Sequence, residues 1–226
     1  MEHVKQHFET EANNFDAIIL KLIPYYHQMV EAIVTALPYQ KNQAFRLIDL
    51  GCGTGTILKA IATQFPNSEI TCVDIAENML YHARKKLEAF TKTRFVQANF
   101  EEFEFDQTYD VVVSSLALHH LVTNEDKIRF YQKIYDCLSP QGLFWNADVV
   151  LGATEWLQSS YIEKWKAFML QSVSMDEIEN TWLVKYYAED NPAKLNEQLS
   201  WMQAIGFSHI EIVWKYYNYA VYGGIK

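Results

Sequence analysis

The sequence predicts an α/β fold. It consists of a doubly wound, mostly parallel seven-stranded sheet with a helical segment before it, a helical cap between the fifth and sixth strands, and a C-terminal antiparallel hairpin. Three observations predict it. Short β-rich apolar runs alternate with amphipathic helical patterns from Phe45 to Val150, as parallel strands covered on both faces require. A loop with glycines at 51, 53 and 55 follows the first run, where such sheets bind ligands. Beyond Val150 the alternation stops, and an aromatic-rich helical stretch leads into two adjoining strand-like runs.

The elements follow in order. From Phe15 to Leu37, residues such as Ile18, Ile19, Leu22, Met29, Val30 and Ile33 recur at helical spacing, and Pro24 divides the stretch into two pieces. FRLIDL (Phe45–Leu50) is the first strand, followed by a helix from Ile57 to Phe65. EITCVDI (Glu69–Ile75) is the second, followed by a helix from Glu77 to Phe90. RFVQA (Arg94–Ala98) and YDVVVSS (Tyr109–Ser115) are the third and fourth, and a helix runs from Glu125 to Leu138. After the turn signal SPQG, LFWNADVV (Leu143–Val150) is the fifth. Helices are expected across Trp156 to Ile205, and the hairpin lies in FSHIEIVWKYYNYAVYGGIK. One domain over 1–226 therefore divides into an N-terminal helical lid (1–42), a cofactor-binding core (43–150), a substrate cap (151–205) and a β-hairpin (206–226).

Composition narrows the classes of partner. The chain has 226 residues, 50% of them hydrophobic, enough for one full core. Its 28 acids against 19 bases leave a net charge of −9, which repels phosphate backbones and disfavours nucleic acid. The polar start MEHVKQHFETEANN lacks the apolar stretch of a signal peptide, and no run reaches the ~20 apolar residues of a membrane span. A soluble cytoplasmic protein is the expectation. Cys52, Cys72 and Cys137 are odd in number and widely spaced, which fits small reduced side chains and not a disulfide or zinc framework.

The glycine loop carries the chemistry. Glycine tolerates unusual dihedrals and lets a ligand approach the main chain, while the following helix offers its N-terminal amides to negative charge. Gly51, Gly53 and Gly55 make G-x-G-x-G, and Thr56 stands where a dinucleotide fingerprint needs its third glycine. The Gly-Lys-Ser/Thr sequence of a nucleotide-hydrolase loop is also absent. Asp74 falls about twenty residues on, where an acid can hold both hydroxyls of a ribose. A nucleoside without a long phosphate chain is implied.

LIDLGCGTG, VDIAENML, VVVSSLALHHL and LSPQGLFWNADV, in this order and spacing, resemble the successive motifs of class I S-adenosylmethionine-dependent methyltransferases over Phe45 to Val150. The resemblance implies a Rossmann-like methyltransferase fold and S-adenosyl-L-methionine as cofactor. It implies that Asp49, Gly51, Gly53 and Gly55 line the methionyl pocket, that Asp74 takes the ribose, and that Ile75 and Met79 pack on the adenine. Asn99, where the family usually has an aspartate, and Phe100 follow the third strand and reach the adenine, and Ser115 sits beside the sulfonium. The flanks FDAIILKLIPYYHQM and YAEDNPAKLNEQLSWMQAIGFSHIEIVWKYYNYAVYGG look similar to the carboxy-S-adenosylmethionine synthase branch and its simpler methyltransferase relatives, which brings Tyr26 toward the cofactor. That branch holds its extra carboxylate with an arginine in the capping segment, whereas no arginine follows Arg129 here and only Lys185 lies near that stretch. A lysine does not reproduce bidentate guanidinium geometry, so ordinary methyl transfer is the expectation.

Methyl transfer from a sulfonium needs alignment and exclusion of water, worth up to ~7 to 11 kcal/mol of barrier. The cap aromatics suit a dry pocket. His119 and His120 follow the fourth strand and are the catalytic candidates, one of them taking a proton from an acceptor. Asp148 could orient a polar acceptor or cap the next segment. A metal site from the histidine pair and Asp148 lacks supporting ligand spacing, so none is expected. SSLA in place of an Asn-Pro-Pro-Tyr type motif, together with the acidic charge, directs the substrate toward a small molecule. A homodimer is compatible with the sequence. A catalytically silent cofactor-binding subunit and a carboxy-S-adenosylmethionine synthase-like enzyme are the alternatives, and Thr56 argues against a nicotinamide oxidoreductase.

Overall fold

The computed structural model describes residues 2–100 and 102–226. One seven-stranded sheet runs in the order β3-β2-β1-β4-β5-β7-β6. Its strands are β1 (Arg46–Leu50), β2 (Glu69–Asp74), β3 (Thr93–Gln97), β4 (Tyr109–Ser115), β5 (Leu138–Val149), β6 (Ser208–Tyr216) and β7 (Tyr219–Ile225). β1 to β5 pair in parallel, and β7 returns antiparallel between β5 and β6. The expected mostly parallel sheet and the edge hairpin are both present.

Strand alternation sorts the two cores. Leu47, Val111 and Val113 face one side with Met29, Ile33, Leu58 and Ile61. Ile48, Leu50 and Val112 face the other with Phe130, Tyr131, Ile134 and Met202. The helices that cover these faces are α4 (Thr56–Gln64), α5 (Glu77–Lys86), α6 (Asn124–Cys137) and, from the C-terminal half, α7 (Glu155–Met169), α8 (Met175–Glu177), a π-helical turn (Ile178–Trp182), α9 (Leu183–Glu189) and α10 (Leu195–Ile205). α6 starts where Thr123 accepts from the Asp126 amide and Asp126 accepts from the Thr123 amide, each at 3.1 Å, a reciprocal cap. The three cysteines are free and buried.

Three details differ from the sequence expectation. A helix, α1 (Glu2–Glu11), occupies the polar start; its few apolar residues, Val4 and Phe8, turn inward and leave a solvated polar face. The SPQG turn is absorbed into the start of β5, with Gln141 at φ 64°. The N-terminal lid also divides. α1 and α2 (Phe15–Leu22) flank the ligand cavity, but α3 (Tyr26–Thr35) carries Met29 and Ile33 into the main core.

Gly51 shows what the loop after β1 demands. Its φ is +77°, and a Cβ there would stand 2.3 Å from the Ala117 Cβ. At Gly53, with φ +53°, the nearest atom is 3.9 Å away, on Phe15. Gly51→Ala is therefore expected to destabilise the protein by about 2–4 kcal/mol, from left-handed strain plus overpacking, and Gly53→Ala by only about 1–2 kcal/mol. Urea midpoints of the two variants would check the order.

Candidate functional site

The winding of the sheet reverses between β1 and β4, and the crevice beyond their carboxyl ends is where an open α/β sheet takes its ligand. A cavity opens there, lined by Tyr26, Asp49, Gly51, Gly53, Asp74, Ile75, Met79, Asn99, Phe100, Ser115 and His120. Ten of the eleven cofactor residues expected from sequence are in that wall. Gly55 is not. It carries φ +79° at the start of α4 and packs on α5, where a Cβ would meet Ala83 at 3.2 Å; its glycine serves helix packing.

The two acids differ in their partners. Asp74 accepts from the Gly53 amide at 2.8 Å and the Ala76 amide at 2.9 Å, so it braces the glycine loop as well as facing the cavity. Burial, only partly offset by those amides, pushes its carboxyl up to about 6. Asp49 is buried, and its Oδ1 has no hydrogen-bond partner among the described residues. Burial and the neighbouring Asp74 push its carboxyl up to about 8. A buried carboxyl group of this kind ionises readily only against a cationic donor. Asn99 accepts from the Glu102 amide at 3.1 Å through Oδ1.

The histidine pair separates into two roles. His119 Nδ1 lies 2.5 Å from Asp148 Oδ1, and Nε2 lies 3.4 Å from Asp190 Oδ1. Burial opposes its charge, but the two carboxylates prevail and push it up to about 10. Both ring nitrogens of His119 thus face acids in this structure. Asp148, buried behind it, is a holder of His119 and not an orienter of acceptor. His120 Nδ1 faces the Glu189 carbonyl at 3.3 Å and Asp190 at 3.6 Å. A carbonyl can only accept, so Nδ1 carries the proton and Nε2 keeps a lone pair. Burial, then the neighbouring His119 charge, pulls His120 down to about 4. The ring is neutral at physiological pH.

Residues 47–142 match a family model described as a methyltransferase domain. The core matches a methyltransferase domain, on the fold of S-adenosylmethionine-dependent methyltransferases. The methyltransferase is 28% identical over 221 residues to a carboxy-S-adenosyl-L-methionine synthase of Helicobacter pylori (strain Shi470), an alignment covering 94% of this chain and 90% of the relative. Its fold matches an O-methyltransferase family protein from Burkholderia thailandensis with a TM-score of 0.67 at 17% identity, over 95% of this chain and 59% of that one, so the chain spans little more than half of that structure. It also matches DhpI in a complex with SAH, with a TM-score of 0.65 at 14% identity, over 96% of this chain and 92% of the other.

A second cavity adjoins the first, and Phe8, Phe15, Ile19, Leu116 and His120 line both. Of the cap aromatics, Trp165, Trp182 and Tyr186 line this second cavity, whereas Trp156 and Tyr187 are 69% and 68% exposed and Trp201 packs on the opposite core. α1 and α2, within the stretch read from sequence as a helical lid, contribute walls to both cavities. Glu9 of α1 accepts from the Glu77 and Asn78 amides at 2.7 and 2.9 Å, an anionic cap on α5. Asp16 of α2 binds Thr54 at 2.5 Å and Lys86 at 2.7 Å, and Lys86 donates to Thr54 and Thr56 at 2.8 Å. Asp190 was missed as well, because seventy residues separate it from His120 and no local spacing joins them.

Proposed function

We propose that the chain methylates a small-molecule acceptor with S-adenosylmethionine held in the first cavity and the acceptor in the second. The observation that carries the reading is the shared wall: the loop, Asp49 and Asp74 stand on one side, an aromatic chamber on the other, and His120 borders both. Asp49 Oδ1 suits the cofactor's ammonium group, Gly53 its close approach, and Asp74 its ribose; Ile75, Met79, Asn99 and Phe100 suit the adenine. Tyr26, Gly51 and Ser115 complete the wall near the methionyl end. S-adenosylmethionine supplies a sulfonium methyl group whose carbon–sulfur bond breaks with the electron pair left on sulfur as the acceptor atom bonds the carbon. The chain's own part is alignment and dryness. His120 Nε2 accepts the hydrogen of the acceptor, fixes the direction of its lone pair and takes the proton as the new bond forms. His119, locked by Asp148 and Asp190, is a positioning residue for that ring.

Incubation with methyl-labelled S-adenosylmethionine and a metabolite extract should place label in a small molecule. Binding without label in any extract would favour a silent cofactor-binding subunit. His120→Ala is expected to lower kcat by about 100-fold while leaving the affinity for S-adenosylhomocysteine within about threefold; equal kcat would remove His120 from the reaction.

The relatives named carboxy-S-adenosyl-L-methionine synthase support a second reading. It requires a cation free for the added carboxylate, and Lys185 is paired with Glu11 and lies 3.1 Å from His7 Nε2. Methyl transfer is therefore the favoured activity. Mass spectrometry of the nucleoside that co-purifies would decide, since the carboxylated cofactor is heavier. The proposed setting is the cytoplasm, with no nucleic-acid partner. The acidic charge supports it, as does the lack, among the described residues, of a helix long and apolar enough to cross a membrane. A homodimer is an open option for sizing chromatography.

A further inference from the structure

The histidine pair and Asp190 converge on one point. His119 Nε2 and His120 Nδ1 stand 3.4 and 3.6 Å from Asp190 Oδ1, and one ligand atom from each of the three residues lies within 4.8 Å of the others. The two printed separations are long for hydrogen bonds. They suit the edges of a coordination shell, because metal–ligand bonds of ~2.0–2.2 Å in a tetrahedron put neighbouring ligand atoms about 3.3–3.5 Å apart. All three residues line the second cavity, which leaves a remaining coordination position facing open space.

The surrounding chain holds these groups in place. His119 and His120 sit on one helical turn after β4 (Leu118–His120), Asp190 ends α9, and the Asn191 amide donates to the His119 carbonyl at 2.9 Å, tying the two segments together. Asp148 has a different task from Asp190. Its Oδ1 meets His119 Nδ1 at 2.5 Å, and a carboxylate on the outer ring nitrogen is what orients a ligating imidazole and raises its basicity. The ion pairs of Asp190 are with these two histidines and, among the described residues, with no lysine or arginine. Two imidazoles and one carboxylate are a donor set that favours first-row transition ions over magnesium or calcium.

We propose that His119 Nε2, His120 Nδ1 and Asp190 Oδ1 form a site for a divalent transition-metal ion of the zinc class, open on one side to the second cavity. The ion displaces the proton between His119 and Asp190. It also takes the Nδ1 lone pair of His120 and so leaves that ring's proton on Nε2. The loaded chain therefore lacks the proton acceptor assigned to His120, and occupation switches methyl transfer off. That consequence rests on the methyl-transfer reading, whereas the metal site does not.

The test uses the full chain, stripped with a chelator and free of S-adenosylhomocysteine. Calorimetry follows Zn2+, Mg2+ and Ca2+, and visible absorption follows Co2+. The expected result is a single Zn2+ bound about 100-fold or more tightly than Mg2+ or Ca2+, with the intense visible bands of four- or five-coordinate Co2+. No Zn2+ binding, or only the weak spectrum of hydrated Co2+, overturns the site. Asp190→Asn, which keeps the side-chain shape, should weaken Zn2+ about tenfold or more and alter the Co2+ bands while its circular dichroism stays that of the parent. Undiminished Zn2+ affinity in both Asp190→Asn and His120→Ala would place the ion elsewhere. His27→Ala, at an exposed histidine of α3, should bind Zn2+ as the parent does; an equal loss there would mark surface binding only and overturn the proposal. Saturating Zn2+ should also suppress label transfer, with recovery on chelation. Full transfer by the loaded chain would overturn the off state, and the calorimetry judges the site separately.

Discussion

Asp49→Asn is expected to stabilise the ligand-free protein and to weaken its affinity for S-adenosylhomocysteine by about 10- to 150-fold, the loss of one charge-assisted hydrogen bond of ~1.5–3 kcal/mol. The opposite signs follow from one geometry. The Asp49 carboxylate is buried beside Asp74, and its Oδ1 has no partner among the described residues. An amide there removes the cost of keeping a proton on the acid, which burial and Asp74 impose on folding, and also removes the group that can ionise against a cationic ligand. The pH dependence gives a second check. The folded protein holds the Asp49 proton up to about 8, while an unfolded chain releases it near ~3.9. Its contribution to ligand-free stability is therefore fully present below about 4 and lost as pH rises through about 8. Melting curves across that window should slope downward in the parent and be flatter in Asp49→Asn. A variant that binds S-adenosylhomocysteine with undiminished affinity would exclude Asp49 from the cofactor site.

His119→Ala should destabilise the protein by ~3–5 kcal/mol, on the order of a 10 °C fall in Tm for a chain of this size. The substitution leaves Asp148 of β5 buried and Asp190, after α9, half-buried, with no cation from His119 between them. The sign with pH is set by the raised value of His119. Against an ordinary 6.5, the folded protein holds this proton up to about 10. Its stabilising contribution is whole below about 6.5 and disappears as pH rises through about 10. The difference in Tm between parent and variant should thus be largest near neutrality and shrink in alkaline buffer. A difference that stays constant from pH 7 to 10 would mean that His119 acts there by packing alone.

Periodicity made most of the scaffold readable. β1, β4 and the helices between them follow from continuous apolar runs and 3.6-residue spacing, because a parallel strand buried on both faces has little freedom in composition. The glycine loop and Asp74 were legible for a related reason: each lies within a few residues of a strand end, so local order carries their position. α1 was not, since a helix held mainly by Glu9 on α5 and by Phe8 in the cavity has a weak apolar stripe of its own. The sequence does not distinguish a glycine bared to ligand from one packed against Ala83, where Gly55 stands.

What the chain order by itself determined is the alternating α/β layout, the acidic character and the strand-end residues that line the first cavity. These depend on contacts between neighbours along the chain or on the fixed handedness of strand–helix–strand connections. Only the tertiary structure decided which histidine is charged, that Lys185 is already engaged by Glu11, and that three of the cap aromatics line the second cavity while Trp156 and Tyr187 face water. Each of those outcomes hangs on groups tens of residues apart meeting in a low-dielectric interior. There, distance and burial, not residue type, set protonation and pairing.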